Sequence, residues 1–431
     1  MLKNIVIVGG GAGGLELASK LGRKFGPEVV TLVDSQLFHI WKPSLHEVAA
    51  GTLDIHQEGL SYSMLAHDNG FTFVYGPMTA LNAEAKTITV AAIHGDSGDI
   101  VIPERQIPYG HLVLAVGSTS NYFGVAGAAE HTISLNGVND AEQFRLRMLK
   151  LLTLANLSKR TDPNARVNVV IIGGGATGVE LAAELREASR AYTAYGFRHL
   201  DPNKDVCITL LEGAPRILAP LPERVSKAAA ELLANRHVTI KTGCRVVNIT
   251  AKEVEDGEGG CYPADLCVWA AGIRAPDLLK TLGLAVNRGG QLEVNGQLQV
   301  TGHEDIFAIG DCAACAIEPG KLVPPRAQAA HQQADYLCAQ FARLAAGKQP
   351  NAAPYVYKDH GSLVSVGQET SVGSLMGALK GSLFIEGAFA RMMYVSLHLM
   401  HHQAVLGTLR TGLLAAARFL VKRATPLVKL H

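Results

Sequence analysis

Neither sign of charge dominates this sequence: 39 Lys and Arg against 38 Asp and Glu leave a net charge of +1. Nothing in that balance argues for nucleic acid as a partner, since phosphate backbones select basic surfaces. Cysteine is sparse and odd in number, at Cys207, Cys244, Cys261, Cys267, Cys312, Cys315 and Cys338, several of them inside apolar runs. That scatter excludes a disulfide framework and predicts reduced, mostly buried thiols. Cys312-Ala-Ala-Cys315 is the one close pair, readable as packing thiols, as a redox dithiol or as half of a metal site. No second pair and no His-x-x-His completes a tetrahedral set, so no metal is expected. No secretory signal precedes the apolar run at Ile5, so the chain is expected to remain in the cytoplasm or to face it. Nor is there a confident transmembrane stretch: the longest uncharged run of the tail, Met392 to Leu409, contains Ser396, His398, His401, His402 and Gln403.

Glycine is what the chain has in quantity, 45 residues, and two places use it in the same way. Ile5-Val6-Ile7-Val8 leads into Gly9-Gly10-Gly11-Ala12-Gly13-Gly14, then a helical pattern, then Val29 to Val33 ending on Asp34. Val169-Val170-Ile171-Ile172 leads into Gly173-Gly174-Gly175-Ala176-Thr177-Gly178, a helix, and Ile208 to Leu211 ending on Glu212. Strand, glycine turn, helix, strand and terminal acid form a dinucleotide-binding βαβ unit. Gly9 and Gly173 permit the turn, Gly11 and Gly175 let backbone approach a pyrophosphate, and Gly14 and Gly178 let helix pack on strand. The helix N-terminus faces the phosphates. Asp34 and Glu212 would each accept a hydrogen bond from a ribose 2′-hydroxyl, and Glu212 would repel a 2′-phosphate, so NADH is expected over NADPH. Glu212 stands 34 residues beyond Gly178, against 20 from Gly14 to Asp34, and Tyr192 to Asp205 reads as an insertion. Two such sites suggest two cofactors in exchange, a resident FAD and a transient nicotinamide.

The rest of the chain, long enough for two or three domains, fits around these units. His39 to Glu47, polar and aromatic, leaves the sheet where loops line a ligand crevice, or is a plain surface loop. Phe71 to Gly76 and Thr87 to Ala92 read as antiparallel strands, and Tyr109 to Gly117-Ser118 as a strand returning to the first sheet. A helix over Ala141 to Asn156 precedes the second unit, which continues through Val238 to Lys241 and Val246 to Glu255 and closes at Ala264 to Gly272. Asp305 to Gly310-Asp311 is another strand ending on glycine and acid, and Pro324-Pro325 introduces a helix at Ala327-Gln328-Ala-Ala-His331-Gln332-Gln333.

With both fingerprints, Gly310-Asp311 and the Ala327-Gln328 helix in this order, nearly the whole chain resembles the type II NADH dehydrogenases. These are non-pumping NADH:quinone oxidoreductases among the flavoproteins with two dinucleotide-binding domains. The resemblance implies an α/β fold of two Rossmann-like, glutathione-reductase-like domains with a C-terminal amphipathic membrane-associating region. Residues 1–160 and 275–350 would form the FAD domain, 161–274 the NADH domain and 351–431 the quinone and membrane region. It places Gly9, Gly11, Gly14, Asp34, Gly117, Gly310, Asp311, Ala327 and Gln328 against FAD, and Gly173, Gly175, Gly178, Glu212 and Gly272 in cofactor binding around NADH. Asp311 would meet the ribityl and phosphate part, and Ala327 and Gln328 the pyrimidine end. Glu180 and Gln328 would be catalytic, Glu180 by positioning or proton handling, unless it merely caps its helix. Gln328, Gln332 and His360 would line the quinone site, although many relatives have lysine where His360 stands.

The tail from Gly387 to His431 has no Asp or Glu but has Arg391, Arg410, Arg418, Lys422, Arg423 and Lys429. On a helical wheel Leu406, Leu409, Leu413 and Leu420 share a stripe opposite Arg418 and Lys422, and Pro426 should end the helix. Such a helix can lie on an anionic bilayer, or pack on its own protein or a second subunit in a homodimer. The expected function is respiratory transfer of a hydride from NADH to FAD and of two electrons to a membrane quinone, without proton pumping, peripherally at the cytoplasmic face of the cell membrane. The alternatives are a soluble NAD(P)H-dependent reductase of a small redox protein, or an NADH-sensing flavoprotein. A disulfide reductase would need a cysteine pair that Leu37 to Gly51 lacks, and a sulfide:quinone oxidoreductase would need flavin-facing cysteines and no intact second fingerprint.

Overall fold

Every residue of β1 (Ile5–Val8) is buried, because this strand lies in the interior of a parallel sheet covered on both faces. The structure, a computed structural model, describes residues 4–318, 320–367, 370–376, 382–424 and 427–429. From β1 the chain turns through glycine into α1 (Ala12–Phe25) and returns as β2 (Val30–Asp34), paired in parallel with β1 at Ile5 and Val30. The turn needs glycine: Gly9 has φ +103, and a Cβ on Gly14 would stand 1.9 Å from the Gly9 carbonyl oxygen.

After α2 (Leu45–Ala50), β3 (Thr72–Tyr75) joins β2 in parallel, and β4 (His111–Leu114) joins β1 from the other side. This revises the antiparallel reading of Phe71 to Gly76. A half-exposed edge strand alternates just as a hairpin strand does, so its partner could not be told from the pattern. Thr87–Val90 is antiparallel, between Met78–Asn82 and Arg105–Pro108.

β5 (Ile133–Ser134) and α3 (Val138–Ser158) precede the second unit of β6 (Val167–Ile172), α4 (Ala176–Tyr195) and β7 (Val206–Glu212). β8 (Val238–Thr242) and β9 (Leu266–Trp269) complete a parallel sheet in the order β5-β9-β6-β7-β8. Because β5 pairs with β9, and α3 packs into this sheet's core, sheet membership places 133–158 with the second unit, not with residues 1–160. The expected insertion is partly helix, since α4 runs on through Tyr192 to Tyr195.

β10 (Ile306–Ala308) returns to the first sheet, whose order is β10-β4-β1-β2-β3, and α5 (Ala327–Ala345) packs beside α1. The second parallel sheet is therefore inserted within the first domain. A three-stranded antiparallel sheet of β11 (Gly361–Ser365), β12 (Ser371–Met376) and β13 (Ser382–Glu386) leads to α6 (Gly387–Leu406) and α7 (Thr408–Ala424). No described helix is long and apolar enough to cross a membrane.

The leucine stripe needs one correction. Gly407 breaks the tail into two helices, so Leu406 ends α6 and packs on the first core, while Leu409, Leu413 and Leu420 of α7 are 78%, 63% and 66% exposed. Arg418, on the opposite side, turns inward to Glu58 at 3.0 Å and Glu47 at 4.0 Å. Pro426 and the side chain of Lys422 lie outside what the structure describes.

Candidate functional site

The two fingerprint turns are built alike. In the first, the Gly10 N–H donates to Asp34 Oδ2 at 2.5 Å and the Gln36 N–H to Oδ1 at 2.7 Å. In the second, the Gly174 N–H donates to Glu212 Oε2 at 2.6 Å and the Ala214 N–H to Oε1 at 2.7 Å. Each carboxylate is thereby aimed along the end of its strand with lone pairs left for a hydroxyl donor. Burial pushes the Asp34 carboxyl up, opposed by these backbone N–H groups. A Cβ on Gly11 or Gly175 would meet nothing within 4 Å, so both turns hold open space in front of a helix N-terminus whose first N–H groups lack intrahelical partners. That is the shape and polarity a pyrophosphate requires, and FAD and a nicotinamide dinucleotide fit the two cradles.

A second cluster joins the expected FAD residues from distant parts of the chain. The Ser118 hydroxyl donates to Asp311 Oδ2 at 2.7 Å, and Lys42 Nζ donates to the Ser118 carbonyl at 3.0 Å. Burial pulls the Lys42 ammonium down while Asp311 and Asp140 favour its charge. Gly117 and Gly310 take φ +69 and +72 here, and the Gly310 N–H is held by Gln333 Oε1 at 2.7 Å. Gly272 lies under Phe123, where a Cβ would stand 2.4 Å from the ring.

Glu180 sits in the second turn of α4 and does not cap it, because Gly175 is the N-cap. Its Oε1 accepts the Ser365 N–H at 3.0 Å, it is hydrogen-bonded to Tyr394, and its Oε2 lies 3.6 Å from His46 Nδ1. Four elements thus meet on one buried carboxyl: α4, α2, β11 and α6. Burial pushes its affinity for a proton up, against His46 and the Ser365 N–H. His46 Nδ1 is within 2.8 Å of the Pro43 carbonyl, while Nε2 is buried without a hydrogen-bond partner among the described residues.

α5 begins at Ala327, as the motif implied. Gln328, Gln332 and His360 come together, but both glutamine side chains grip backbone. Gln332 bonds the Lys358 carbonyl at 2.8 Å and its N–H at 2.9 Å; Gln328 bonds the Gly361 carbonyl at 3.0 Å and the His360 N–H at 3.2 Å. The pair fixes segment 358–361 against α5. The cysteine pair has little thiolate character, since burial pushes Cys312 up to about 12 and Cys315 up to about 11.

Sequence reasoning passed over a further cluster, Glu16, His39, His331 and His401, joined by hydrogen bonds across α1, α5 and α6. Its sequence signals were separate: a glutamate on the fingerprint helix, His39 in the loop expected to line the crevice, His331 in the Ala327 to Gln333 motif, and the histidines that made Met392 to Leu409 too polar to span.

The chain matches the pyridine nucleotide-disulphide oxidoreductase family over residues 3–334. It is 39% identical to a type II NADH:quinone oxidoreductase of Haemophilus influenzae over the whole of both chains. It is 29% identical to one of Mycobacterium tuberculosis, covering 92% of this chain and 83% of that one. Among solved structures it superimposes on NDH2 from Plasmodium falciparum in complex with NADH with a TM-score of 0.83 at 20% identity over all of both chains. A sulfide:quinone oxidoreductase of Aquifex aeolicus matches at 0.71 and 18%, over 94% of this chain and 92% of that one. Two intact fingerprints, a Cys312–Cys315 pair with little thiolate character, and 39% identity over the full length of a relative lead to one assignment: the chain belongs to the type II NADH:quinone oxidoreductase family.

Proposed function

We propose that the protein oxidises NADH and reduces a quinone through bound FAD, and that the construction carrying this reading is the pair of open glycine cradles with a buried carboxyl, Glu180, where their domains meet. FAD, when bound, accepts a hydride and returns an electron pair, which is the chemistry this protein lacks by itself. Hydride and one solvent proton together make the quinol, so each turnover consumes one proton from solution.

The protein's own part is orientation and charge. Gly9, Gly11 and Gly14 with Asp34 hold the FAD pyrophosphate and ribose, and Ser118, Lys42 and Asp311 hold its central part. Gly173, Gly175 and Gly178 with Glu212 hold NADH and reject a 2′-phosphate. Ala327 and Gln328 at the N-terminus of α5 would hold the pyrimidine end of the flavin, where the helix terminus would favour negative charge. Glu180, with raised proton affinity and Tyr394 beside it, holds or moves a proton near the nicotinamide. Gln328 and Gln332 set the wall of the quinone opening by fixing segment 358–361, and His360 borders it.

The leucines of α7 lie on the surface of an anionic bilayer, keeping the protein peripheral at the cytoplasmic face, and a homodimer would present two such helices. Residues 1–132 and 275–350 form the FAD domain, 133–274 the NADH domain and 351–431 the C-terminal region.

Anaerobic stopped-flow tests the reading. NADH should bleach the flavin and a short-tailed quinone should restore it, both within the turnover time. Bleaching without recovery would retain the NADH site and refute the quinone as acceptor.

A further inference from the structure

Glu16 points inward from α1, one turn from the first fingerprint, and is 1% exposed. A buried carboxylate requires partners. Its Oε1 lies 2.8 Å from His401 Nδ1 of α6, and its Oε2 bonds His331 Nδ1 of α5 and lies 3.3 Å from Lys20 Nζ. Burial pushes the Glu16 carboxyl up, but hydrogen bonds from His331 and His401, with their charges, overcome it and bring it to about 2. The Lys20 ammonium and His331, both against Oε2, favour Glu16 as an anion that only accepts. Beyond it, His401 Nε2 stands 2.9 Å from His39 Nε2, and His39 Nδ1 stands 3.0 Å from the Gly10 carbonyl.

The hydrogens of this chain can be counted. The Gly10 carbonyl accepts only, so His39 Nδ1 carries a hydrogen. Glu16 accepts only, so His401 Nδ1 carries another. The contact between the two Nε2 atoms needs a third. Two neutral imidazoles supply two N–H groups. One ring must therefore be an imidazolium. His39 faces a carbonyl and the Tyr62 ring, and burial holds its proton affinity well below the ordinary range. His401 faces the Glu16 anion, and its ring centroid lies 4.4 Å from that of Trp41, whose π face favours a cation. The charge belongs on His401.

We propose that His401 is a positioning residue for the flavin site: as a buried imidazolium it locks α6 to α1 and, through His39, fixes the Gly10 peptide of the first fingerprint. The proposal rests on reading Gly9 to Gly14 as the flavin pyrophosphate turn. Gly10 is gripped through both of its peptide groups, its carbonyl accepting from His39 and from the Tyr62 hydroxyl at 2.8 Å, while its N–H donates to Asp34. Removing the extra proton leaves one of the three contacts without a hydrogen, so the grip on the turn weakens. The groups around it are Glu16 and Lys20 of α1, His39 and Trp41 of the loop after β2, His331 and Asp335 of α5, His398 and His402 of α6, and Arg418 of α7, which acts on the last two.

The test uses the full-length, FAD-loaded protein and histidine-selective 15N NMR, with the His401 signals identified by their loss in His401→Gln. Both ring nitrogens should be protonated at neutral pH, and Glu16→Gln should return the ring to a neutral tautomer. FAD release on dilution, followed by flavin fluorescence, should quicken at least about tenfold in Glu16→Gln, the scale of one charge-assisted hydrogen bond. A neutral His401 would overturn the proposal, as would faster release from Glu16→Gln with His401 still an imidazolium. The underlying site is tested apart: Gly11→Val should exclude FAD, and full FAD retention there would refute the site assignment whatever His401 shows.

Discussion

Gly175→Val separates the nucleotide cradle from the fold that presents it. Gly175 has φ −73 and ψ −175, extended backbone that valine adopts without strain. A Cβ there meets no atom within 4 Å, so the folded protein has room for the side chain. Two opposing effects on stability remain. Losing glycine's freedom in the unfolded chain stabilises by about 0.4–1 kcal/mol. Replacing glycine by valine at an N-cap destabilises by a similar amount, about 0.5–1 kcal/mol. The net change should lie within about 1 kcal/mol, or a few degrees in Tm. Binding should change far more. The isopropyl group occupies the space a pyrophosphate enters and screens the N–H groups at the start of α4. Loss of two charge-assisted hydrogen bonds, at about 1.5–3 kcal/mol each, predicts at least a hundredfold rise in the NADH concentration needed for half-maximal bleaching. FAD content, read from absorbance, should be unchanged. An unchanged NADH dependence would refute the assignment of the second cradle, and loss of FAD instead of NADH would exchange the two sites. Gly178→Ala is the contrasting case: its Cβ would stand 1.9 Å from the Gly173 carbonyl oxygen, so it should damage the fold itself.

Glu180→Gln should raise stability and lower turnover together. Burial raises this carboxyl's proton affinity, so its charge destabilises the fold increasingly as pH rises from the unfolded value through the folded one, and Gln removes that cost. Under the proposed proton-handling role of Glu180, kcat should fall by about a hundredfold or more with NADH bleaching retained, measured by steady-state and stopped-flow kinetics. Glu16 runs the other way. Its carboxyl is depressed from 4.5 to about 2, contributing stability above pH 4.5 that is lost as pH falls toward 2, on the order of 3 kcal/mol; acid unfolding of Glu16→Gln should show no such loss. Glu212→Arg should shift preference toward NADPH, read as a ratio of kcat/KM values. Changing Leu409, Leu413 and Leu420 to Gln together should release the protein from anionic vesicles while leaving ferricyanide reduction intact. Truncation would be less clean, because Val428 is 4% exposed in the second sheet's core and the Lys429 N–H bonds the Gly51 carbonyl at 2.8 Å.

What was legible from sequence was local. Strands buried on both faces read as unbroken apolar runs, and each fingerprint glycine has a steric task that no other residue performs, so β1, β6 and their turns stood out. Thr72–Tyr75 was assigned the wrong partner because alternation records which faces are buried, not which neighbour lies alongside. Leu406 was placed on the wrong helix because the wheel ran through Gly407, whose φ of +79 ends one helix before the next begins. The Glu16 cluster could not be read at all. His401 is 385 residues from Glu16 and 362 from His39, so only the folded chain shows that a fingerprint helix and the tail meet in one buried hydrogen-bonded chain.

That buried contact changes how the tail is to be understood. Along α6, Arg391, Tyr394, His398 and His401 with His402 recur at helical spacing and turn toward the protein. Arg391 donates to the Ser365 hydroxyl at 3.0 Å, Tyr394 reaches Glu180, and His401 reaches Glu16 and His39. Phe389, Met392 and Met400, on the outside, are 58%, 62% and 52% exposed. One of the polar residues that disqualify α6 as a membrane span, His401, thus fastens it to the first nucleotide-binding unit, and Tyr394 fastens it to the second. In the proposed function, an outer face this apolar on a helix so fastened would rest against a lipid surface without entering it. Under the proposed function, contact with the membrane and order at the flavin turn would then act through the same helix, and weakening either should be felt at the other.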